Sequence, residues 1–97
     1  MKKTFQSRLL DFRNQVVLEI KRILDKKSSE DFVVNLDYPK RKIGTITFNG
    51  DSVKEEYHKG KIIEHTTRRD FRRSIGKRTS DWWLTRLADK LQELEGE

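Results

Sequence analysis

The sequence predicts an α+β domain. Its order is an N-terminal helix, an antiparallel meander of three or four strands, a short basic helix and a C-terminal helix, with the helices packed on one sheet face. Three observations carry this. Apolar residues recur at three- and four-residue steps at both ends of the chain. They alternate with polar residues through the middle. Turn formers separate the alternating runs. Ninety-seven residues make one domain, 1–97, able to close a single core with little margin.

The first helix covers residues 4–27. Phe5, Leu9, Phe12, Val16, Ile20, Ile23 and Leu24 form its apolar stripe, widened by Leu10 and Val17. Thr4 suits the N-cap, Lys26 and Lys27 suit the negative C-terminal end, and Ser28-Ser29 breaks the helix. Residues 31–38 alternate as a first strand, with Phe32, Val34, Leu36 and Tyr38 on one side. Pro39-Lys40-Arg41-Lys42 reads as a charged turn. Residues 43–48 make a second strand rich in β-branched side chains. Asn49-Gly50 is a hairpin signal, because both residues tolerate positive φ.

A third strand follows over 52–58, with Val53, Glu55 and Tyr57 alternating. Lys59-Gly60 turns into a fourth over 61–65; one bulged strand over 52–65 is the alternative. Thr67 starts a short helix over about 68–75. Asp70 completes a pair resembling a capping box, and Gly76 stands at C′. Ser80 or Thr79 caps the last helix, whose core stripe is Trp83, Leu87, Leu91 and Leu94 with Leu84 and Ala88 alongside.

Charged residues make up 39% of the chain, well above the usual ~25%. Low hydrophobicity with high charge can signal disorder, but here the apolar residues are grouped and periodic. There is no cysteine, which excludes a disulfide framework and thiolate metal sites. Asp11, Arg13 and Asn14 interrupt the segment after the basic N-terminus, so it does not read as a signal peptide. No run approaches the ~20 apolar residues of a membrane span. The expectation is a soluble, cytoplasmic protein that engages no membrane. No cofactor motif, Gly-rich phosphate loop or HExxH metal motif is present, and oligomeric state is not legible.

The charge is concentrated in one place. Residues 67–78 hold six cations and one acid, a net of +5, in a chain of net +6. On the short helix, Phe71 and Ile75 lie within about 40° of each other and can anchor it. Arg68, Arg69, Arg72 and Arg73 then fan outward, and Lys77 and Arg78 extend the cluster toward the next helix. Arginine suits phosphate because its planar fork donates two parallel hydrogen bonds. A face paired with acids of the same chain is the plainer alternative.

Trp82 falls beside Arg78 and Arg86 on the last helix. It either covers the core edge beneath their stems or stacks beside the basic cluster. Lys40, Arg41 and Lys42 form a second basic site, either a solvated turn or an extension of the footprint. His58 and His65 flank the Lys59-Gly60 turn; with Tyr57 and arginine they would allow a small ribonuclease, the weakest of three readings. The acidic end, Glu93 to Glu97, sits badly at a helix C-terminus. It implies pairing with cations elsewhere, the arginine cluster among them, or a solvated tail.

The order of helix, three strands and helix resembles the double-stranded RNA-binding domain. That family's Gly-rich loop running into a Lys-Lys-x-x-Lys helix start is absent; this chain reads Thr79-Ser80-Asp81-Trp82 there. No fold, ligand or residue is carried over from it. The functional expectation is a non-enzymatic nucleic-acid-binding protein, DNA or RNA, acting mainly through phosphates with weak sequence specificity. Its residues are Arg68, Arg69, Arg72, Arg73, Lys77, Arg78 and Trp82, with Lys40, Arg41 and Lys42. Four to six phosphate contacts would give a salt slope of about −4 to −5. The rival is an accessory or inhibitor module docking on an acidic protein surface.

Overall fold

Helix α1 (Phe5–Lys26) leads into strands β1 (Phe32–Tyr38), β2 (Arg41–Asn49) and β3 (Ser52–Tyr57). A 3-10 turn (His58–Gly60) then leads to β4 (Ile62–His65), and α2 (Arg68–Ile75) and α3 (Asp81–Glu95) complete the chain. The computed structural model describes residues 5–38 and 41–96; Thr4, Pro39 and Lys40 lie outside them. The strands form one antiparallel sheet in the order β1-β2-β3-β4, so the fourth strand is separate, as the Lys59-Gly60 turn implies. Lys59 takes φ 70° and Gly60 φ 80° to make that turn.

The β2–β3 hairpin differs in detail from its sequence signal. Asn49 pairs with Ser52, so the two loop residues are Gly50 and Asp51. Gly50 has φ +58° and Asp51 is not in the left-handed region, the sign pattern of a II′ turn with glycine first. Gly76 also departs from expectation: at φ −66° it ends α2 without using left-handed freedom.

One core holds the elements together. The inward alternation of β1 and β2 supplies Val34, Leu36, Ile46 and Phe48, all buried. Ile20, Ile23 and Leu24 of α1, Phe71 and Ile75 of α2, and Trp83, Leu84, Leu87 and Leu91 of α3 close over them. α3 packs on β1 and α1, while α2 packs on β3, β4 and α1. The other sheet face is left open, with Val33 and Ile62 exposed on it. Phe12, assigned to the α1 core stripe by spacing, is 58% exposed. It stands beside the first turn of α3, at the rim of a small cavity lined, among the described residues, by α1 and α3 alone.

Gly44 is required by a close approach. A Cβ there would lie 2.5 Å from Tyr57 Cδ1 and 3.0 Å from the Glu56 carbonyl oxygen. The Tyr57 ring cannot swing aside freely, because its hydroxyl donates to Glu55 and accepts from Trp83 Nε1–H. Gly44→Ala is therefore expected to cost about 1–3 kcal/mol in urea denaturation, the range for overpacking. A cost near zero would mean that the Tyr57 ring is not held.

Candidate nucleic-acid interface

α2 carries Arg68, Arg69, Arg72 and Arg73, and Lys77 and Arg78 follow just after it. Thr67 caps it: Oγ1 accepts from the Asp70 N–H at 3.1 Å. Phe71 and Ile75 are fully buried and fix the inner side. Neighbours on a helix point about 100° apart, so the remaining side chains meet different surroundings. These surroundings divide the six cations into three groups.

Arg68 points back into the protein. Its Nε–H donates to the Gly50 carbonyl at 2.6 Å, NH1 to the Lys27 carbonyl at 3.0 Å and NH2 to the Glu30 carbonyl at 2.6 Å. Asp31 Oδ1 adds a fourth acceptor at 3.4 Å. Its guanidinium carbon lies 5.6 Å from the Phe48 ring centroid, and the side chain is 16% exposed. Arg68 thus ties the α1–β1 loop to the β2–β3 turn.

Arg78 also turns inward. NH2 donates to Glu55 Oε2 at 2.5 Å, and the guanidinium stands 4.0 Å from the Trp83 ring centroid. Glu55 is a fully buried carboxylate on the helix side of β3. The same Oε2 accepts from His65 Nε2 at 2.6 Å, and Oε1 accepts from the Tyr57 hydroxyl at 2.5 Å. Because a carboxylate only accepts, the His65 Nε2 carries the proton. Burial by itself would raise the Glu55 pKa; the bonds from Arg78, Tyr57 and His65 outweigh it and hold the group ionised below its usual range. For Tyr57, burial and the bond to Glu55 push the hydroxyl pKa up.

The third group faces solvent. Arg69, Arg73 and Lys77 are exposed, and among the described residues no carboxylate comes within ion-pair reach of them. Arg69 and Arg73 are four residues apart, on one helix side. Arg72 lies about 60° from Arg69, on the side toward Arg68, and reaches Asp25 of α1 at 3.2 Å. Both partners of that pair are solvated, with side-chain exposures of 44% and 61%, so the pair is weak and open to exchange.

The other predicted site residues lie elsewhere. Trp82 is half-buried and packs against the core cluster. Arg41 and Lys42 belong to β2 rather than to a turn, and Lys40 lies outside the described residues. Phe48, beside Arg68, pairs with Phe32 at one end of the β1–β2 ladder; Lys42 pairs with Asp37 near the other. Phe48 and Lys42 are six positions apart along β2, about 20 Å, so this end of β2 lies away from α2.

His58 is exposed, whereas the His65 ring packs edge-on to Phe71, so the two do not form one site. The acidic end takes a partner other than the arginine cluster. Glu95 accepts from Arg22 at 2.8 Å and 3.1 Å and lies 3.5 Å from Lys26, both on α1.

Glu55 stands in the sequence as one of several acids near the two histidines, with no sign that it pairs with Arg78. The signal of its burial was the alternation of Val53, Glu55 and Tyr57, which sets an acid between two core positions. Among the described residues, no group of three or more His, Asp or Glu side chains is arranged to hold a metal ion. Nor is any described helix long and apolar enough to cross a membrane. No protein-family model, curated protein or solved structure matches this chain.

Proposed function

We propose that this protein binds nucleic acid through the phosphate backbone, using the outer side of α2. The observation that supports this reading is the unsatisfied set Arg69, Arg73 and Lys77, joined by Arg72 when its exposed pair with Asp25 opens. Three or four cations on one rigid, capped helix and the turn that follows it are suited to a run of phosphates, and arginine forks add bidentate contact. Arg68 and Arg78 serve the fold and drop out of the binding set. The acid/base groups of Glu55, His65 and Tyr57 are engaged with one another inside the protein, which favours binding over catalysis.

With three or four contacts, log K should fall with log salt at a slope of about −3 to −4, shallower than six cations would give. The test is a gel shift with single- and double-stranded DNA and RNA, comparing the natural protein with Arg69→Glu/Arg73→Glu. Two lost charge-assisted contacts should weaken binding about a hundredfold. They should also flatten the slope by about two. Binding that survives the double variant, or a slope near zero, would refute the phosphate reading. Absence of binding to every nucleic acid would favour an acidic protein surface as the partner.

A further inference from the structure

Beside the solvent-facing cations of α2 lies a cavity of about 270 Å³ that phosphate contacts alone do not need. The buried Leu24 and Phe48 give it apolar wall, and Arg68 closes one side. The exposed Asp25, Ser28, Arg69 and Arg72 stand around its mouth. Its volume is just under the range of small-molecule pockets, about 300–1,000 Å³, so it suits one ring system rather than a polymer segment.

The lining selects among occupants. An acyl chain would match Leu24 and Phe48 but leave the polar rim of Asp25, Ser28, Arg69 and Arg72 without a partner group. A bare phosphate would match the arginines but leave the apolar wall unused. A nucleobase has apolar faces and a polar edge, and so meets both kinds of lining. Arg68 adds a reason of its own. Three of its five N–H donors go to fixed backbone carbonyls and a fourth to Asp31, so it is not available as a bidentate phosphate clamp. It presents instead a planar cation held in place, and a guanidinium plane is a stacking surface for bases.

We propose that this cavity receives one unpaired base of a single-stranded nucleic acid, whose flanking phosphates lie on Arg69 and Arg73. The proposal rests on the phosphate-binding reading above and narrows it to unpaired strands. The Arg72–Asp25 pair is the gate. A base amino group donates to Asp25 and replaces Arg72 there, and the released guanidinium turns to a phosphate. A paired base cannot enter, because its edge is engaged and its faces are stacked.

The test is fluorescence anisotropy with three labelled probes of equal length: a mixed-sequence single strand, the matching duplex, and a strand of abasic sites that keeps the phosphates. The single strand should bind about tenfold more tightly than either other probe at equal salt, the effect of one stacked base. Ser28→Trp, which fills the mouth without changing charge, should bring single-strand affinity down toward that of the abasic strand. Equal affinity for all three probes would overturn the base pocket while leaving phosphate binding standing. Binding to none would overturn both. The abasic arm uses the natural protein, so the outcome does not depend on the variant folding.

Discussion

Arg78→Ala is expected to destabilise the fold by about 3–5 kcal/mol, the cost of removing one partner from a buried ion pair. The other partner is the reason. Glu55 has no exposed surface, and Arg78 is the cation nearest its carboxylate. Without the guanidinium, the carboxylate must stay charged and under-satisfied or take up a proton. Tyr57 and His65 still reach it, but neither replaces the full charge. In a domain of this size each kcal/mol moves Tm by about 4–8 °C, so thermal unfolding should shift down by more than about 12 °C. Glu55→Gln added to Arg78→Ala should restore part of the loss, because an amide leaves no buried charge behind. A loss below about 1 kcal/mol for Arg78→Ala would show that the pair is not needed.

The same network sets the pH dependence. The folded pKa of Glu55 is below its ordinary value of 4.5. Its stabilisation is therefore present above that pH and lost as the pH falls through the folded pKa. Tyr57 has the opposite sense: its pKa is raised above the ordinary 10.0, so its contribution holds below that pH and is lost as the pH rises beyond it. Stability measured against pH should fall at both ends, and Glu55→Gln should flatten the acid limb.

Phe71→Ala should cost about 3–5 kcal/mol, the range for deleting a large buried aromatic side chain. Phe71 is fully buried and meets three rings edge-on: Phe48 at 5.3 Å, His65 at 5.2 Å and Trp83 at 6.3 Å. Those rings come from β2, β4 and α3, so one side chain docks α2 on three elements. An eight-residue helix is too short to persist alone in water, so its order comes from this docking. The variant should therefore lose nucleic-acid affinity even below its Tm, since Arg69 and Arg73 are no longer held on one surface. Phe71→Leu, which keeps most of the volume, should lose much less of both. Urea denaturation and anisotropy on the same samples provide the check. An Ala variant with full affinity and a loss under 1 kcal/mol would show that α2 is held by other contacts.

Much of this architecture is legible in the chain. Alternation in residues 31–38 and 43–48 placed β1 and β2, because side chains on a pleated strand must face opposite sides. Thr67 marked the start of α2 and the Thr79-Ser80 pair that of α3, where Ser80 is the cap, since a short oxygen there accepts an otherwise orphaned N–H. The hairpin signal named the right turn but centred it one residue early, because pairing of Asn49 with Ser52 sets the register. Phe12 followed the helical period yet is exposed, because a period gives a direction and does not supply something to pack against.

Composition and local pattern determined the α+β order, the helix that carries the cations and the anchors Phe71 and Ile75. Tertiary structure decided which cations remain available. The partners that remove Arg68 and Arg78 from the set stand 41 and 23 residues away in the chain, and the one that holds Arg72 in an exposed, exchangeable pair stands 47 away. The charge of a residue is local, whereas its compensation depends on which distant oxygens the fold brings within hydrogen-bond reach. A basic run is therefore visible in sequence, but its division into struts and open contacts is made only when the chain closes.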